Sequence, residues 1–134
     1  MNLSKRNTLL ILLTIFAIGF FPNIVRSQEI IEIQVSPNVL NLQNSGEVVT
    51  VHTDIAYGLV VGASVTLNDV EIDWWKSDNQ GNFVAKFDII DIKDLPLNIG
   101  ELNTLKLTGT TIYGETFTGI SEILVVNNVP AKKK

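Results

Sequence analysis

Residues 64–87, SVTLNDVEIDWWKSDNQGNFVAKF, decide the fold. Apolar and polar side chains alternate on both sides of a polar, glycine-containing break, which is the period of a half-buried strand and not of a helix. The stretch therefore reads as a β-hairpin. Val70, Ile72 and Trp74 share one face of its first arm, Phe83, Ala85 and Phe87 share one face of its second, and residues 77–82 connect them. Asn68-Asp69 is a second turn signal, so residues 65–67 and 70–75 can form two strands around a tight turn. Apolar faces of this kind need further strands to cover them.

The flanking sequence supplies such strands. Upstream, residues 29–35 alternate with Ile31, Ile33 and Val35 on one face, until Ser36-Pro37-Asn38 interrupts them and residues 39–42 resume as a short edge segment. Proline cannot donate to a ladder, and a strand broken in this way passes from one sheet to another. After a turn at residues 43–46, residues 47–55 give the clearest period-two run in the chain, with Val49, Val51, Thr53 and Ile55 facing one way and Val48, Thr50, His52 and Asp54 the other. Residues 57–62 read as a loop whose Leu59, Val60 and Val61 tuck under the edge.

Downstream, Ile89, Ile92 and Leu95 are spaced by three and stop at Pro96, which predicts one helical turn crossing between sheets. Residues 101–110, 115–118 and 122–126 read as strands, with Ile123 and Val125 inward. Seven or eight short strands at near-regular spacing, with almost no helix, predict an all-β, antiparallel two-sheet sandwich of immunoglobulin-like architecture.

Composition bounds the rest. The chain has 134 residues, 46% of them apolar and 18% charged, enough for one buried core. It has no cysteine, so disulfides, thiol nucleophiles, Cys-ligated zinc and a lipid-modified cysteine are all excluded. Residues 1–27 have the build of an export signal: basic Lys5 and Arg6, an apolar run over 9–21, then Val25 and Ser27 before a cut that leaves Gln28 first. That 13-residue run is shorter than the ~20 residues that span a bilayer, so the membrane is met only through this segment if it stays attached.

Cleavage leaves 7 basic against 14 acidic side chains, a net charge of −7. Such a surface repels polyanions, which excludes nucleic acid as a partner. The expected organisation is a signal peptide over 1–27, the sandwich over 28–128 and a flexible basic tail over 129–134. The expected location is secreted, periplasmic or at the cell envelope.

The quoted stretches VSPNVLNLQNSGEVVTVHTDI (35–55), VTLNDVEI, FVAKFD and LKLTGTTIYGETFTGISEILVV (105–126) resemble a small immunoglobulin-like module that recurs in exported and surface proteins of bacteria and archaea. The likeness covers nearly the whole mature chain and consists of turn and core positions. Many such modules have an acidic, glycine-rich calcium loop before the strand corresponding to FVAKFD. Here that loop is residues 76–82, where Asp78 and Asn79 are the metal candidates, while lysine and glutamine stand where further carboxylates would be needed.

Few residues carry chemistry. His52 is the only histidine, on the outward face of its strand, so no multi-histidine site can form within one chain. No GxSxG turn holds a serine for a triad that would have to use it. Asp88, Asp91 and Asp94 recur every three residues as a solvated helical face. Adjacent side chains on a strand point to opposite faces. Trp74 shares the parity of Val70 and Ile72 and is assigned to the core, which leaves Trp75 outside beside Asp73 as a platform for a sugar ring or a partner domain. The expectation is a non-enzymatic, cofactor-free module for adhesion, spacing or protein binding, its partner a protein or glycan at the cell surface. The alternative is a small carbohydrate- or calcium-dependent ligand-binding protein.

Overall fold

A computed structural model describes residues 28–129. The export signal over 1–27 and the tail from 130 lie outside the described residues. Two sheets face each other across a common core. One contains β1 (Gln28–Ile30), β3 (Val39–Asn41), β5 (Thr66–Leu67), β6 (Val70–Glu71), β9 (Leu102–Thr110) and β10 (Thr116–Val126), in the order β1-β10-β9-β5-β6 with β3 also beside β10. The other contains β2 (Ile33–Ser36), β4 (Val48–Ala56), β7 (Trp74–Ser77) and β8 (Asn82–Asp88), in the order β2-β4-β8-β7.

Period-two burial builds both layers. Along β4, Val49, Val51, Thr53 and Ile55 are buried and the residues between them are not, as the alternation predicts. Along β9, Asn103, Leu105, Leu107 and Gly109 are the buried set. Phe83, Phe87 and Phe117 are the largest fully buried side chains, and Leu40, Leu67, Ile92, Leu105, Leu107 and Ile123 pack among them. Buried polar groups are paired inside this core. The Thr53 hydroxyl donates to the Phe83 carbonyl at 2.6 Å, and Asn103 accepts from the Asn98 N–H at 2.7 Å while donating to the Asn98 and Glu101 carbonyls.

The helical turn is present as α1 (Ile89–Lys93), which buries Ile89 and Ile92 and packs Leu95 against the core. Asp88 caps it by accepting from the Ile90 N–H at 2.9 Å, and Asp88, Asp91 and Asp94 are all exposed, as a solvated face requires.

Several expectations change. The stretch over 64–87 is two hairpins in different sheets: β5 and β6 turn at Asn68 and Asp69, both at positive φ, and β7 and β8 form the second. Ile72 and Asp73 cross between the layers. The six-stranded sheet is mixed and not antiparallel, because β1 and β3 both run parallel to β10. The described residues hold ten strands, more than the seven or eight expected, because the broken first strand visits the layers three times and the first arm of the 64–87 stretch divides into β5, β6 and β7. That first strand runs as β1 in one sheet, β2 in the other and β3 back in the first, the second passage containing a cis Ser36–Pro37 peptide. The two strands expected near the C-terminus are one, β10, with Gly119 mid-strand where Ile31 and Ile33 cross over it and leave no room for a Cβ. Only Val60 of the 59–61 loop packs against the core, Leu59 and Val61 being exposed.

Truncation at the centre of the core, Phe87→Ala, is expected to cost about 3–5 kcal/mol in urea unfolding. Gly109→Ala, which drives a methyl into Phe117 and Val65, should cost about 1–3 kcal/mol, whereas Ile112→Ala on an exposed turn should stay within about 0.5 kcal/mol.

Candidate functional site

The outer face of the four-stranded sheet follows from the burial of its inner face. Phe83, Ala85 and Phe87 point inward from β8, so Val84 and Lys86 point outward. Register then sets their neighbours. Across the sheet, Ser36, Thr50, Lys86 and Trp74 form one row, and Gln34, His52, Val84 and Lys76 form the next. Neither row contains a carboxylate.

The first row is held together by contacts. The Lys86 ammonium donates to the Thr50 hydroxyl at 2.7 Å and stands 5.5 Å from the centre of the Trp74 ring, within cation–π range. Burial pushes the Lys86 pKa below the ordinary lysine value, and the neighbouring Lys76 charge lowers it further. In the second row Val84 is fully buried although it faces outward, because longer side chains at His52 and Lys76 flank it.

Trp74 is therefore not a core residue. Its indole is 45% exposed on the outer face, and it is Trp75, opposite inward-facing Ala85, that turns toward the interior. Trp75 covers Gly62, where any Cβ would collide with the indole, but it remains 39% exposed because β7 is the sheet edge. Parity counted from Val70 and Ile72 fails for a physical reason. Those residues belong to the other layer, and the crossing at Ile72-Asp73 resets which residues face in. Asp73 is exposed in that crossing, its N–H donating to the Lys86 carbonyl at 2.9 Å, and it lies outside the strand that holds Trp75.

The metal candidates do not converge on a cation. Asp78 Oδ1 accepts from the Gln80 and Asn82 N–H groups at 2.8 and 2.9 Å, closing the β7–β8 turn, and Asn79 is exposed at its tip. Among the described residues no group of three or more His, Asp or Glu side chains could hold a metal ion. His52 is exposed on the outer face of β4, where the strand pattern places it.

Lys86, Lys76 and Thr50 did not emerge as site residues from sequence, although a signal for them exists. The Asp78 carbonyl accepts from the Gly81 N–H, Gly81 is at positive φ, and Asp78 bonds to Asn82, which is a three-residue hairpin loop and not the six-residue connection expected. Counting outward from that shorter loop puts Trp74 opposite Lys86.

A recess of about 590 Å³ lies beside the edge strand β2, lined by Gln34, Ser36, Pro37, Asn38, His52 and Ser121 among others. It shares His52 with the outer face.

Asp78→Ala removes two hydrogen bonds from the turn and is expected to lower stability by about 1–2 kcal/mol. Millimolar calcium should leave the melting temperature of the unaltered protein within about one degree, since an ion that does not bind the native state cannot stabilise it. No family model, curated protein or solved structure matches the chain.

Proposed function

We propose that this chain is an exported, non-enzymatic module that acts by contact at the cell envelope, in adhesion, spacing or the holding of another macromolecule. The immunoglobulin-like resemblance and the export-signal pattern of residues 1–27 support the location. One observation carries the mode of action. All four residues of the edge strand β7 are exposed, and two of them are tryptophans. Indoles are costly to leave in water and are enriched where surfaces meet.

The sandwich accounts for the rest of the chain's residues. Its two sheets use the apolar residues for their core, and the acids of α1 are spread over a solvated turn instead of facing each other across a cleft. A rigid platform displaying one aromatic edge suits recognition. The carbohydrate half of the alternative reading is favoured by the exposed ring of Trp74 beside a lysine, and its calcium half by nothing in the Asp78 turn.

The test is retention of the exported protein, beginning at Gln28 by N-terminal sequencing, on cell-envelope material in a co-sedimentation assay. Trp74→Ala is expected to weaken retention about tenfold or more, as loss of an aromatic anchor does, with an unchanged circular dichroism spectrum. Tyr113→Ala, at an exposed turn of the other sheet, should bind as the unaltered protein does. Equal retention of Trp74→Ala, or none by the unaltered protein, would overturn the reading.

A further inference from the structure

The charge on the outer face runs against that of the domain. Residues 28–129 contain 14 acidic side chains but only four lysines, Lys76, Lys86, Lys93 and Lys106, and no arginine. Two of those four lysines stand in adjacent rows of neighbouring strands. Lys76 and Lys86 are diagonal neighbours across the β7–β8 ladder, and, besides burial, the Lys76 charge helps to lower the Lys86 pKa.

The carboxylates that follow on the same strands lie beyond the two rows and not between the lysines. Asp54 comes two residues after His52, Asp78 two after Lys76 and Asp88 two after Lys86. Each is held by backbone: Asp54 accepts from the Glu32 N–H at 2.9 Å, Asp78 from Gln80 and Asn82, and Asp88 from Ile90. Among the described residues, the Lys86 side chain donates to a neutral hydroxyl, that of Thr50. The two rows thus offer ammonium groups with no carboxylate in either row and, at the end of the Lys86 row, an exposed indole, while Asp54, Asp78 and Asp88 flank them on the same face.

We propose that this face binds a carboxylate-bearing sugar, a uronic acid residue, with its ring against Trp74 and its carboxylate between Lys86 and Lys76. The inference rests on the contact reading above and specifies its ligand. The C–H face of a pyranose covers an indole, and a carboxylate on the same ring reaches a neighbouring ammonium in a charge-assisted hydrogen bond. Thr50 presets Lys86 for this, which reduces the side-chain ordering that binding would otherwise require. An acidic side chain supplies the carboxylate but not a C–H face on the same ring, so the combination of groups favours the sugar. The net charge of −7 after export selects short uronate segments over long polyanions, whose remaining charges the domain repels.

The experiment titrates the exported protein with trimers of galacturonate, glucuronate and mannuronate, followed by tryptophan fluorescence and calorimetry. At least one trimer is expected to bind. Trp74→Ala and Lys86→Gln should each weaken it about tenfold or more, and Lys106→Gln, in the other sheet, should leave it unchanged. The methyl ester of the same trimer, which keeps the ring and loses the charge, should bind at least about tenfold more weakly. No binding of any trimer at millimolar concentration, equal binding of the ester, or equal binding of hexaglutamate would each overturn the proposal. If no trimer binds while Trp74→Ala still abolishes envelope retention, the uronate falls and the contact reading stands; if Trp74→Ala changes neither measurement, both fall.

Discussion

Everything on the outer face depends on the burial of three side chains of β8. Phe83, Ala85 and Phe87 are fully buried between the sheets, and their removal from water is the driving force that no other placement of this strand could satisfy. Because successive residues of a strand point to opposite sides, burying these three leaves Val84 and Lys86 facing out. The ladder with β7 and β4 then brings Trp74 and Thr50 to Lys86 without any further choice. The candidate site is a consequence of the core.

The crossings between layers are the second constraint, and they explain where side chains are small. Gly119 is passed by Ile31 and Ile33 as the chain goes from β1 to β2, and Gly62 lies beneath the Trp75 indole at the opposite edge. In both places the absence of a Cβ allows an approach that close packing would otherwise forbid. Covering one face of the edge tryptophan with a glycine also leaves part of it exposed, so β7 presents two indoles with different surroundings. Trp74 lies on an open polar face and Trp75 at the mouth of the interior.

Charge separates the outer face from the rest of the molecule. Most of the acids stand on turns, on α1 or at strand ends, and several are occupied as caps for backbone N–H groups, as Asp54, Asp78 and Asp88 show. Used in this way, a carboxylate stabilises local structure while keeping its charge. The consequence is a small cationic and aromatic area on an acidic domain, which gives the contact reading a definite location and a chemical preference.

The period-two runs of residues 47–55 and 83–87, the three-residue spacing of Ile89, Ile92 and Leu95 and the turn residues around them were enough to define an all-β chain with one helical turn and to name much of its core. Those features depend on neighbours within a few residues, because alternation and helical spacing are local properties of the backbone. Sheet membership is not local. Whether residues 70–77 continue one strand or change layers at Ile72-Asp73 is decided by hydrogen bonds to β5 and β8, and that change exchanged the faces of Trp74 and Trp75. For the same reason nothing in the local pattern marked Lys86 and Lys76 as neighbours, and only the register of the ladders placed an indole beside one and no carboxylate between them.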